Sequence, residues 1–509
     1  MTEQRPLNLL ILISDQHRHD ALRCVASDDG SDQRTWLTGH VQTPHLDRLA
    51  ASGVRFTQAV ANLPVCVPSR HSFITGLYPY QTGVLTNGHY WPGQPPVPTL
   101  AMRLSEAQYS TAAIGKMHWK NQRAPAEHVP DKRGFALRAS LEHASDGPYD
   151  KHYDEAIAAD EGWLPANAFA HFGLGGETRE GYIGAVAPVG GAHLPEAWLT
   201  EQAIGFLREH ADGADERPFC LLLSLDRPHP PNVVPADYAE RYAPDEMPLP
   251  PATPPGFAED DYHIGKEIAT REWNTMTPQE LRLSVSRYLA NVSYVDAQFG
   301  RVLATLEETG QADKTMVVYF SDHGELLGER GGGHTKYCLY ESAIRVPLLV
   351  RWPGVSQAGL VSSAPVELID LLPTWLEAAG LPVPNFLPGR SLRQLLAGES
   401  PREIGWREAT FTEQYTAVAT PGAPRTQWAL REHRYKLIER VSGQSALYDL
   451  QEDPMEYHNL IDDPTLAPVR ERLRTQLLHD MMARTEQYPA QNWPQVAIAR
   501  PPARSQRAG

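Results

Sequence analysis

Leu7-Asn8-Leu9-Leu10-Ile11-Leu12-Ile13-Ser14 is a nearly unbroken apolar run of strand length, and it ends on Asp15-Gln16. A strand with one wet face alternates apolar and polar residues. A run without alternation belongs inside a sheet covered on both sides. The theme recurs along the chain. Residues 111–115 lead into Lys116, residues 219–225 (FCLLLSL) into Asp226-Arg227-Pro228-His229, and residues 316–320 (MVVYF) into Ser321-Asp322-His323-Gly324. Helical segments lie between these runs. Thr43-Pro44 opens one, with Thr as N-cap, Pro in the first turn and Gly53 beyond its end. Thr277 and Glu280 have capping-box spacing at the start of a long helix reaching about residue 310. Residues 54–61 read as a short strand, and residues 69–75 as a helix beginning just after Cys66. Strands alternating with helices predict an α/β fold: a doubly wound, mostly parallel central sheet with helices on both faces. Polar residues just past the strand ends are where such sheets bind ligands.

Beyond residue 400 the pattern changes. Residues 409–415, 427–431, 435–440 and 446–450 are closely spaced strand candidates, and a helical segment follows at about 466–486. They predict a smaller C-terminal antiparallel sheet packed with a helix. The expected division is a catalytic α/β domain over 1–400, a small α+β subdomain over 401–489 and an extended tail over 490–509. That tail could reach a neighbouring copy in a homo-oligomer. Residues 140–195 and the proline-dense 226–262 read as excursions that shape a pocket or decorate the surface. Tyr153, Trp163, His171 and Trp273 are candidate pocket-lining residues.

Of the 509 residues, 41% are hydrophobic and 21% charged, as in globular proteins. The formal charge of −16 argues against nucleic acid as a partner. A few lysines and arginines can still reverse the local field for a small anion. No apolar stretch is long enough to span a membrane. The four cysteines (Cys24, Cys66, Cys220 and Cys338) are widely spaced, and the first residues lack the pattern of a signal peptide. Both features lead us to expect a cytoplasmic protein.

Chemistry concentrates at Cys66-Val67-Pro68-Ser69-Arg70, followed by His71-Ser72-Phe73-Ile74-Thr75-Gly76. A lone cysteine is usually a small buried hydrophobe, the reading we give Cys24, Cys220 and Cys338. Asp15-Gln16 and Asp322-His323 each follow a predicted central strand, and two such pairs can converge on a divalent cation. The nearby His17-Arg18-His19 reads as loop.

In this order the blocks LNLLILISDQ, TPHLDRLAASGVRF, CVPSRHSFITG, TGVLTNG, AAIGKMH, RPHPP, SYVDAQFGRVLATLEETG, VVYFSDHGELLG, RVPLLVRW and LYDLQEDPMEYHNL run through nearly the whole chain. Together they resemble the type I formylglycine-dependent sulfatases of the alkaline phosphatase superfamily. Within it the chain is similar to the bacterial branch of arylsulfatases, choline sulfatases and phosphonate monoester hydrolases. The resemblance implies a hydrolase of sulfuric esters acting on a small sulfated organic substrate. Cys66 would be converted to Cα-formylglycine by a maturation enzyme, and its hydrate, a geminal diol, would attack sulfur. A covalent sulfo-enzyme would form, and the second hydroxyl would then expel sulfate. Asp15, Gln16, Asp322 and His323 would hold one divalent cation. Family members often have a second Asp at the position of Gln16 and Asn at that of His323. The histidine nitrogen suits Mn²⁺ better than Ca²⁺, and both are expected ahead of Mg²⁺.

The remaining roles follow by position. Arg70 would hold the hydrated aldehyde, aided by a helix start near Ser69. Lys116 and Lys336 would neutralise sulfate oxygens. His118 would be the base at the second hydroxyl, and His229 the acid for the leaving alcohol. Asn87 would contact the diol or sulfate, and His334 would line the pocket. A phosphonate monoester or phosphodiester hydrolase would share this nucleophile and metal. Lys116 and His118 lean toward sulfatase, since phosphonate hydrolases lack that pair. A non-catalytic relative that binds sulfated ligands should have lost one of these groups, and none is missing.

Overall fold

A computed structural model describes residues 6–27, 35–119, 133–139, 181, 183–187, 189–213, 215–253, 276–330, 334, 336–415, 426–487 and 497–498. Most of the 140–195 excursion, and Tyr153, Trp163, His171 and Trp273, lie outside the described residues. An eight-stranded sheet forms from β1 (Asn8–Asp15), β2 (Val54–Val60), β3 (Ser110–Gly115), β4 (Leu137–Ala139), β5 (Phe219–Pro228), β6 (Thr315–Ser321), β7 (Leu348–Arg351) and β8 (Leu360–Glu367). Their order across the sheet is β8-β2-β7-β6-β1-β5-β3-β4. Every pairing is parallel except those of β7, which runs antiparallel to β2 and β6.

The central position of β1 explains its continuous apolar sequence. Leu9, Ile11 and Ile13 enter one core with Phe73, Phe320 and Trp375. Leu10 and Leu12 enter the core on the opposite face with Leu46, Val295 and Phe299. Each side chain is withdrawn fully from water, worth roughly 1.5–3 kcal/mol apiece.

Helices cover both faces. The principal ones are α1 (Pro44–Ser52), α2 (Cys66–Thr75), α3 (Pro195–Ala211), α4 (Pro278–Glu308), α5 (Leu371–Ala378) and α6 (Ala467–Gln487). The expected capping box opens α4: Glu280 N donates to Thr277 Oγ1, and Thr277 N donates to the Glu280 carboxylate. Two boundaries differ from expectation. Helix α2 starts at Cys66 rather than near Ser69, because Val65, in extended conformation, ends the preceding segment and Ser69 N already reaches Val65 O. Strand β5 continues through Asp226 to Pro228, since its register shifts at Asp15 to pair with Pro228.

The smaller sheet is an antiparallel meander of β9 (Thr410–Gln414), β10 (Gln427–Arg431), β11 (Tyr435–Arg440) and β12 (Ala446–Asp449). Leu473 and Leu477 of α6 close its core. Ion pairs join the sheet to the large unit: Glu341 meets Arg431 at 2.8 Å and Lys436 at 3.0 Å. In the tail, Ala497–Ile498 pairs with His89–Tyr90 of the same chain.

Candidate active site

β1, β5 and β6 are neighbours in parallel register, so their carboxyl ends open at one edge of the sheet. Asp15 ends β1, and Asp322-His323 follows β6 directly. Lys116 follows β3, and its N–H donates to Ser224 O of β5. A Cβ on Gly115 would stand 2.0 Å from that same oxygen, and Gly115 has φ +93°. Only glycine lets the two backbones close up here. On the other side, α2 carries all ten of its residues buried and presents Cys66 at its first position. Asn87 Oδ1 accepts from Val67 N at 3.0 Å, capping that helix from a distant segment.

The sulfur of Cys66 sits 3.1 Å from His323 Nε2, 3.3 Å from Lys336 Nζ and 3.8 Å from Asp15 Oδ1. Donor atoms of Asp15, Cys66, Asp322 and His323 all lie within 4.8 Å of one another, and all four residues are buried. His323 Nδ1 bonds Gly324 O at 2.9 Å, so Nε2 is the nitrogen turned into the cluster. Two buried carboxylates share this space with one arginine. Arg70 Nε meets Asp322 at 2.8 Å and its Nη2 meets Asp15 at 3.0 Å, while Nη1 meets Lys116 O and Ser224 Oγ at 2.6 and 2.9 Å. Burial and the Asp15 charge push Asp322 up to about 6 against the pull of Arg70. Asp15 stays well below the usual range: burial and Cys66 raise it, and Lys116, His229 and Arg70 outweigh them. A carboxylate raised in this way, beside a second one and an aimed imidazole, fits a divalent cation, whose charge would favour the ionised form of both acids.

Gln16 stands beside the cluster in a left-handed turn, φ 67°. Its Nε2 donates to Glu325, and its Oε1 accepts from Lys336 at 2.7 Å. Glu325 remains ionised although burial raises it, because His334 and Leu327 N hold the charge. It therefore sets which end of the Gln16 amide faces the site. His118 also has a positive φ, 51°, and its ring lowers the Cys66 thiol through a hydrogen bond. Non-glycine residues in this region cost of order 1 kcal/mol and collect at functional sites. For Cys66, burial pushes the thiol up, but Lys336, His323 and Lys116 hold it well below the usual thiol range. Burial, Lys336 and Lys116 push His229 down to about 4. Its Nδ1 bonds Pro230 O at 2.7 Å, which leaves Nε2 as the ring atom that serves Cys66.

Two residues stand apart from these placements. His334 bonds the Ser284 hydroxyl and lies 3.6 Å from Glu325, the carboxylate that Gln16 Nε2 also reaches. Lys116 sits between Asp15 and Asp226, 2.7 Å from each. The sequence reading assigned no role to Asp226, Ser224 or Glu325. The only signal was their place: Asp226 follows FCLLLSL as Asp322 follows MVVYF, and Glu325 is three residues beyond Asp322. Every described cysteine lacks a disulfide partner, with Cys220 and Cys338 buried and Cys24 half-buried. His17 bonds the Tyr319 hydroxyl and Arg18 pairs with Asp20 and Glu329, structural uses for that loop.

A nucleophile candidate on a helix start, facing metal-type donors at the carboxyl ends of a parallel sheet, defines an alkaline phosphatase-like hydrolase. The chain belongs to the sulfatase family, whose model matches residues 8–381; a C-terminal model described for N-sulphoglucosamine sulphohydrolase matches residues 328–483. The choline-sulfatase of Rhizobium meliloti is 28% identical over 481 residues, 91% of this chain and 84% of its own. The arylsulfatase of Clostridium perfringens is 26% identical over 499 residues, covering 94% and 95%. Among solved structures, the phosphonate monoester hydrolase of Silicibacter pomeroyi superposes with a TM-score of 0.75 at 28% identity, covering 96% of this chain and 97% of that one. The protein is thus an enzyme of the sulfatase class. No helix of the described residues is long and apolar enough to cross a membrane.

Proposed function

We propose that the enzyme hydrolyses a small organic sulfate monoester, with residue 66 acting as a hydrated formylglycine. The observation that carries this reading is the position of the Cys66 sulfur, within reach of two acids, an imidazole and Lys336 at once. That atom marks where a diol oxygen of the converted residue would stand. Asp15, Asp322 and His323, with the Gln16 oxygen beside them, would hold a divalent cation. Bound there, the cation would supply positive charge to the nucleophile and the ester oxygens. We assign Ca²⁺ or Mn²⁺, with the His323 nitrogen favouring Mn²⁺.

The chain's own groups divide the remaining work. Arg70 ties both carboxylates to α2. Lys336 orients toward residue 66 and neutralises charge growing on the ester oxygens. His118 takes the proton of the second hydroxyl, and sulfate leaves. His229 is neutral near pH 7, with Nε2 facing residue 66. It accepts a proton there and, being a strong acid once charged, gives it up readily to the leaving alcohol. A diol can eliminate sulfate in this way, whereas a serine ester must wait for water. We therefore expect Cys66→Ser to stall after one sulfo-transfer, seen as a stoichiometric burst with no turnover.

The test is a parallel assay of an aryl sulfate and an aryl phosphonate on protein made beside a maturation enzyme, with intact mass measured. Conversion of Cys66 lowers the mass by about 18 Da, and hydration restores it. An intact thiol in active protein would falsify the nucleophile. The resemblance to the phosphonate hydrolase structure favours one second reading, phosphonate monoester hydrolysis at the same site. A large kcat/KM preference for the phosphonate would establish it instead.

A further inference from the structure

We propose that Asp226 sets the charge of the ester accepted here, selecting singly charged esters over doubly charged phosphate monoesters. The inference rests on the hydrolase reading above and names its substrate class more closely. Lys116 Nζ lies 2.7 Å from Asp226 Oδ1 and 2.7 Å from Asp15 Oδ2, and all three side chains are buried. Lys116 is thus countered on two sides before any ester arrives. Arg70 is likewise divided between Asp15 and Asp322. The adjacent Arg227 pairs with Glu196 on the first turn of α3, 3.1 Å away.

A sulfate or phosphonate monoester brings one negative charge, while a phosphate monoester above about pH 6 brings two. In a buried site an unmatched charge is costly, so a carboxylate placed behind the ester's lysine rejects the second charge by repulsion. At the end of β5, His229 N donates to Asp226 O at 3.0 Å, which holds both residues in one turn.

The experiment compares wild type, Asp226→Asn and Asp226→Glu on an aryl sulfate and an aryl phosphate at pH 8. Asp226→Asn should raise the phosphate-to-sulfate ratio of kcat/KM on the order of ten-fold or more, and Asp226→Glu should leave it near wild type. A residue that only positioned Lys116 would lower both rates together, so an unchanged ratio in folded Asp226→Asn protein overturns the proposal. A second arm uses Cys66→Ala protein, with and without Asp226→Asn, titrated by calorimetry with methyl sulfate and methyl phosphate. Methyl phosphate should gain affinity relative to methyl sulfate on the same scale, and no relative gain rejects the inference. This arm needs no turnover. An inactive wild type would remove the hydrolase reading and still leave the charge selection testable.

Discussion

Arg70 shows how much of the site depends on the shape of one side chain. Its guanidinium serves four acceptors at 2.6–3.0 Å: Asp15, Asp322, Lys116 O and Ser224 Oγ. A lysine there keeps the charge but cannot span that set. Arg70→Lys should lower kcat/KM by about 10² or more, with reduced metal content by elemental analysis. Near-normal rates and metal content would show that charge alone suffices. The clustered residues that were legible in the sequence are those with a distinctive type at a distinctive place: Cys66 in its run, and Asp15 and Asp322 after strands. Asp226 and Glu325 were illegible because carboxylates are common and their partners, Lys116 and Gln16, are 110 and 309 residues away.

At the scale of elements, two contacts hold the site's walls. Gly115 lets β3 approach β5 where Lys116 begins. Gly115→Ala would place its Cβ on Ser224 O and strain a positive φ, at an expected cost of about 3 kcal/mol or more by denaturant unfolding. The cap on α2 is weaker and separable. Asn87→Ala removes the acceptor for Val67 N and should cost about 1 kcal/mol by the same measurement. An unchanged midpoint would mean that water replaces the cap. Periodicity and capping residues located these elements well: the box at Thr277 and the break at Gly53 are local chemistry. The start of α2 was misplaced by three residues because Val65, not a polar cap, ends the preceding segment and the cap comes from Asn87 across the fold.

On the scale of the whole molecule, the two sheets are joined through buried acids. Glu413 of β9 accepts from Tyr80 N and from the Tyr415 hydroxyl, linking the small sheet to the chain beyond α2. Burial raises it from the ordinary 4.5 to about 7, although Tyr415, Tyr80 N and Arg484 pull it down. The folded state therefore binds this proton more tightly than the unfolded chain does. Its contribution is present in full below about pH 4.5 and is lost as the pH rises through about 7. In wild type this should appear as a fall of up to ~3 kcal/mol between those limits. Glu413→Gln, which cannot ionise, should flatten that part of the profile measured by chemical unfolding at a series of pH values. An identical slope in both proteins would assign the dependence to other groups.

By itself the sequence determined the class of fold, the order of its central strands along the chain and the identity of the nucleophile candidate. Those are written in local signals: apolar runs, caps and one ordered motif. Only the tertiary structure decided which strand ends meet, that Lys116 is shared between two carboxylates, and that Glu325 meets both Gln16 and His334. The physical reason is distance along the chain. Charge balance in a buried site is a property of groups brought together from separate strands, and no local pattern records it. The Cys66 sulfur therefore marks a place whose chemistry is set by residues as remote as Asp15 and Lys336.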